Sequence, residues 1–119
     1  MRRHPNAYLH DIIAAADSIE AFLIGVDFAE FAENDLLRSA VERKYEIIGE
    51  ALSQLAKVDP ELAGRISRWR EIVAFRNIIV HGYASLDYKI VWTARETALP
   101  DLRSEVAALL RTRDRLSEA

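Results

Sequence analysis

The chain has 119 residues, half of them apolar and 29% charged, with a net charge of −3 at pH 7; it fits one domain that buries roughly two-thirds of its unfolded surface and is neither disordered nor fibrous. Cysteine is absent, which excludes disulfides, thiolate metal sites and cysteine nucleophiles. No apolar run approaches the roughly 20 residues that cross a bilayer, and no small-residue cleavage pattern follows the charged N-terminus, so a cytoplasmic protein without membrane contact is expected.

Helical periodicity dominates. The first predicted helix runs from about Asn6 to Ile24, with Leu9, Ile12, Ile13, Ala16, Ile19 and Leu23 at steps of three and four and Gly25 as its cap. A loop carrying Phe28 and Phe31 follows. The second helix starts near Asn34 or Asp35, both good caps, and reaches about Lys57. Asp59-Pro60-Glu61 reads as cap, first-turn proline and first-turn acid of a short extra segment. The third helix spans roughly Ser67 to Val80 and stops before Gly82. The fourth begins near Ser85 or Asp87 and continues to about Leu116, with a kink or break near Leu99 ahead of Pro100. The expected fold is all-α: an antiparallel up-and-down bundle of four main helices within a single domain, residues 1–119.

Charge is uneven. Residues 1–64 carry 6 basic and 12 acidic side chains, and residues 65–119 carry 10 and 7. A polyanion would meet the second half; chance variation of helix surfaces is the plainer alternative. Arg65, Arg68 and Arg70 are equally open to guiding RNA or to being solvated, whereas Arg111, Arg113 and Arg115 read as surface charge. Trp69, Trp92, Tyr45 and Tyr88 read as packing residues. His10 with Asp11 lacks the further ligands a metal site needs, and no glycine-rich phosphate loop exists, so no cofactor is expected.

The third helix is the informative one. Between Glu71 and His81 only Arg76 and Asn77 are not apolar. At about 100° per residue, apolar side chains there point in all directions, and such a helix is buried on more than one side. A second copy of the chain or another protein would cover the side that its own neighbours leave open. The alternative is cover from the fourth helix and the Phe28/Phe31 loop. Arg76 lies on the line of Trp69, Ile72, Ile79 and Tyr83, where a guanidinium needs a partner; Glu46 and Glu50 of the second helix are the candidates. Arg76, Asn77, His81 and Tyr83 make one polar cluster at a helix end. It combines a permanent cation, a proton-transfer group and a phenol. Acid–base cleavage of RNA needs a base for the ribose 2′-hydroxyl, a cation for the phosphoryl oxygens and an acid for the leaving oxygen. One histidine is short by one group, and a two-fold axis would supply a second His81. A structural arginine–histidine pair is the competing reading.

Arg76-Asn77-Ile78-Ile79-Val80-His81-Gly82-Tyr83 resembles the Arg-x4-His-x-Tyr motif of the HEPN superfamily, and more narrowly that of the HepT-like (DUF86) toxins. Ile47-Ile48-Gly49-Glu50-Ala51-Leu52 resembles the family's second-helix signature. Trp69 with Ile72 before the motif, Asp87 with Val91-Trp92 after it, and Phe28, Asn34 and Ala40-Val41-Glu42-Arg43 also fit. The likeness spans roughly Tyr8 to Leu110. It implies an all-helical homodimer with two motif copies at the interface. It implies a metal-independent endoribonuclease, the toxin of a HepT/MntA-type toxin–antitoxin system, partnered by an MNT-type minimal nucleotidyltransferase antitoxin that transfers AMP onto the motif tyrosine. By position Arg76 and His81 are then catalytic, Asn77 and Glu50 supporting, and Tyr83 the modification target. For Glu50, pairing with a buried cation is at least as good a reading. The alternative function is a non-catalytic helical binding or scaffold partner of a nucleotidyltransferase.

Overall fold

The structure, a computed structural model, describes residues 3–81 and 87–118 of the chain, and every regular element among them is a helix. The first, α1 (Pro5–Phe22), starts where His4 Nδ1 accepts from the Asn6 N–H at 3.1 Å and Pro5 takes the position that needs no N–H. Gly25 follows with φ 72°, a left-handed conformation that favours a residue without Cβ. It closes the turn where a cap was expected.

The segment with Phe28 and Phe31 is not a loop. It forms a short helix, α2 (Phe28–Glu33), capped by Asp27, whose Oδ1 accepts from the Glu30 N–H at 2.8 Å. Asp27 and Glu30 have the spacing of a capping box. This local signal suffices to start a helix too short to display an apolar period. Phe28 and Phe31 then pack on Trp92, with ring centroids 6.1 and 5.3 Å away.

The next two helices begin at the expected caps. Asn34 accepts from the Leu37 N–H at 3.0 Å to open α3 (Asp35–Val58). Asp59 accepts from the Leu62 N–H at 3.1 Å to open α4 (Pro60–Gly64). After α5 (Trp69–His81), the expected fourth helix is divided into α6 (Tyr88–Glu96), capped by Asp87, and α7 (Ala98–Glu118). The break falls at Thr97, two residues before the expected point. Pro100 thus lands in the first turn of α7, where a missing N–H would have no intrahelical partner in any case.

Packing follows the apolar stripes. Leu9, Ile12 and Ile19 of α1, Ile48, Leu52 and Leu55 of α3, and Leu102 and Val106 of α7 are buried in one cluster, and among the described residues no charged one is buried with them. Arg103 clamps Asp17 with two bonds of 2.6 and 3.2 Å, and Arg113 donates to Asn6. Late α7 therefore lies against early α1, and the two run antiparallel. No helix among the described residues is long and apolar enough to cross a membrane.

Tyr45 sits in this core at 3% exposure, edge-on to Phe75 at 5.2 Å. Its hydroxyl is enclosed without a hydrogen-bond partner among the described residues. Burial, with Glu20 nearby, pushes its pKa well above the usual 10.0. Removing an unpaired buried hydroxyl relieves a desolvation penalty, so Tyr45→Phe is expected to stabilise the fold by about 1 kcal/mol. The folded phenol holds its proton more tightly than the unfolded one. The parent should therefore be stable below pH 10 and lose stability increasingly above it, and Tyr45→Phe should lose less over that range. Thermal melts of both chains from pH 7 to 11 check the two effects together.

Candidate active site

Three contacts fix α5. Ser67, in the turn before it, donates through its N–H and its hydroxyl to the Glu105 carboxylate of α7 at 2.9 and 2.6 Å. Phe75 meets Tyr45 on α3. Four residues further along α3 and one further along α5, Gly49 faces Arg76 so closely that a Cβ built on the glycine would lie 2.2 Å from Arg76 Cβ. The crossing point of α3 and α5 is thus a glycine against an arginine stem.

That crossing decides the partner of Arg76. Its Nη2 stands 3.2 Å from Glu50 Oε2, and its Nη1 donates to Asn77 Oδ1 at 3.0 Å. Glu46, the other candidate, pairs with Arg43 at 3.6 Å instead. The Arg76 side chain is 28% exposed and that of Glu50 50%, so the pair is a surface-edge one and both charges keep contact with water. Glu50 also accepts from Gln54 Nε2 at 3.0 Å. Arg76 Nε is enclosed and has no partner among the described residues.

Arg76, Asn77 and Glu50 are therefore brought together. His81, the last residue of α5, is exposed. Among the described residues no hydrogen bond or ion pair joins it to the other three. Five residues separate Arg76 from His81, roughly 140° around the helix axis. Arg76 lies at the α3 edge, and His81 shares the outer face with Asn77. Tyr83 lies outside the described residues.

The outer face of α5 is mixed: Ala74 and Ile78 are exposed there beside Arg70, Glu71, Asn77 and His81. Of its apolar residues only Ile79 is buried. Trp69, Ile72, Val73, Phe75 and Val80 are half-buried, and Ala74 and Ile78 are exposed, Ile78 at 51%. The Phe28/Phe31 segment serves Trp92 instead, while Trp69, Ile72, Val73 and Phe75 pack against the chain's own core; Ala74 and Ile78 are the apolar residues of α5 left exposed. Of the nearby arginines, Arg65 pairs with Glu61 at 3.5 Å and Arg70 stacks on Trp69. Among the described residues no three histidine or acidic side chains converge as a metal-binding group.

This placement of Arg-x4-His at an accessible helix edge can be set beside known proteins. The sequence profile of a family described as “Ribonuclease HepT-like” matches residues 12–109. The chain belongs to that family. Glu50, Arg76, Asn77, His81 and Tyr83 all fall within the matched stretch. A Methanocaldococcus jannaschii protein named as a putative RNase is 34% identical over 88% of this chain and 95% of its own length. A protein of Caldanaerobacter subterraneus with the same designation is 30% identical over 89% and 94%. The “Probable ribonuclease HepT” of Thermococcus cleftensis is 31% identical over 92% and 98%. No solved structure matches the chain.

Sequence reasoning assigned no separate role to Gly49. Its signal was available: a glycine inside a 24-residue helix costs about 1 kcal/mol relative to alanine, and a packing reason is then due.

Proposed function

We infer that the chain is a metal-independent endoribonuclease acting as the toxin of a toxin–antitoxin pair, with its active site assembled where two copies meet along α5. One observation carries this reading. The helix that bears Arg76 and His81 leaves Ala74 and Ile78, the latter 51% exposed, uncovered by the described residues, on the same side as Asn77 and His81. A two-fold axis at that face buries the apolar residues and brings a second Arg76–His81 pair alongside the first. The cleft then holds two imidazoles, one as base and one as acid.

The chemistry follows from those groups. One His81 removes the proton of the ribose 2′-hydroxyl, and the 2′-oxygen bonds to the adjacent phosphorus. The phosphorus–5′-oxygen bond breaks, and the second His81 protonates the departing oxygen. Arg76 stabilises the charge that builds on the phosphoryl oxygens. Asn77 orients the guanidinium, and Glu50 holds it until a phosphate competes for it. The products are a 2′,3′-cyclic phosphate and a 5′-hydroxyl.

The partner in this reading is an MNT-type nucleotidyltransferase antitoxin. It transfers AMP from ATP to the Tyr83 hydroxyl with release of pyrophosphate. An added phosphate and nucleoside near Arg76 and His81 occupy the anion site and repel RNA.

The test is incubation of purified protein with RNA in EDTA, with end-group analysis of the fragments. The expected result is cleavage that persists in the chelator and leaves cyclic phosphate ends. RNA left intact, or 5′-phosphate ends, would contradict the reading.

A further inference from the structure

We propose that Gly49 is a positioning residue for Arg76, a notch in α3 that sets where the guanidinium stands. The inference rests on the ribonuclease role given to Arg76 above. Carbon atoms pack at about 3.5–4.0 Å. A Cβ at position 49 would stand 2.2 Å from Arg76 Cβ and 2.6 Å from its Cγ. These atoms are the root of the arginine side chain, carried directly by the α5 backbone, so no rotamer change relieves the collision. The helix itself would have to withdraw by about 1 Å or more, given those packing distances. Gly25 and Gly64 have open space where a Cβ would be, so among the described glycines the close approach is peculiar to Gly49.

The notch has consequences along the whole side chain. With its stem laid against α3, Arg76 reaches Glu50 on one side and Asn77 on the other. Its Nε is shut in at the same contact, without an acceptor among the described residues. Moving α5 outward lengthens the Glu50 contact, opens Nε to water and shifts the guanidinium away from the edge where a phosphate would meet it. A displacement of about 1 Å at such a group can cost about 10²-fold in rate.

Helix propensity and packing predict opposite results for Gly49→Ala. Alanine is the better helix former, so propensity alone stabilises the variant, whereas the contact destabilises it and displaces α5. The test uses the full chain with Gly49→Ala, alone and combined with Arg76→Gly, which removes the atoms that collide. In the parent background Gly49→Ala is expected to lower the melting temperature. In the Arg76→Gly background it is expected to raise it. At temperatures where the Gly49→Ala protein is fully folded, kcat on RNA should fall about 10²-fold, with KM little changed. The Arg76 Nε–H signal in the proton–nitrogen spectrum should move from slow to fast exchange with water.

Retention of parental kcat by a folded Gly49→Ala protein, or an Arg76 Nε–H signal that does not move, overturns the proposal. A variant too unstable to assay must regain its fold when Arg76→Gly is added, and failure to do so also overturns it. A parent chain that leaves RNA intact removes the reaction that Gly49 serves. That failure is read separately, since the reversal of sign between the two backgrounds needs no RNA.

Discussion

Replacing His81 with alanine is expected to lower the rate of RNA cleavage by about 10²–10⁴-fold, the range supplied by a positioned acid or base. The fold should be unaffected. His81 is exposed at the end of α5 and lies outside the buried cluster, and surface substitutions of this kind change stability by about 0.5 kcal/mol or less. The loss should therefore appear in kcat with the melting temperature and the oligomeric state unchanged. With two copies of His81 acting in one cleft, as proposed, a single substitution in the gene would remove base and acid together. A well-folded His81→Ala protein that cleaves RNA at the parental rate would remove His81 from the mechanism.

Arg76 is expected to respond differently to two substitutions. Arg76→Ala removes the cation proposed to face the phosphoryl oxygens, and losing one such donor costs about 10²–10³-fold in kcat. It also removes the stem that fills the contact with Gly49, so the melting temperature should fall as well. Loss of the Glu50 pair adds little to that fall, because the carboxylate is half-exposed and pairs of this kind contribute at most about 1 kcal/mol. Arg76→Lys keeps the aliphatic stem and the charge but not the planar fork that spans Glu50 and Asn77. It should retain most of the stability and still lose most of the activity. Steady-state kinetics and thermal melts of both variants separate the two roles. Parental activity in Arg76→Lys would show that the fork geometry is dispensable.

Much of the architecture is legible in the sequence because helix starts are local events. Asn34, Asp59 and Asp87 each accept a hydrogen bond from an N–H two or three residues ahead, and such signals need no knowledge of the rest of the fold. The misreadings share a physical cause. At six residues, α2 is too short to show an apolar period, so only the Asp27–Glu30 spacing announced it. Pro100 pointed to a break near Leu99, but a proline is tolerated within the first turn, and the helix divided at Thr97 instead.

The site divides along the same line. Arg76, Asn77 and His81 share one helix, so their angular relation, with Arg76 and His81 well apart around the axis, is fixed by sequence spacing. The choice between Glu46 and Glu50 was not, because both lie on α3 one turn apart. It depends on where α5 crosses α3, and that crossing is set by the space at Gly49. A helix–helix contact of this kind arises only when distant stretches of the chain meet, and spacing along one helix does not record it.

The central claim is that two copies of the chain share each cleft. It is tested most directly by a heterodimer of one parental and one His81→Ala chain, isolated through two different tags and assayed for RNA cleavage. Shared acid and base roles predict that this heterodimer is nearly as inactive as the His81→Ala homodimer, because its cleft lacks one of two required imidazoles. Retention of half the parental activity, or parental cleavage by a chain that sediments as a monomer, would contradict the account.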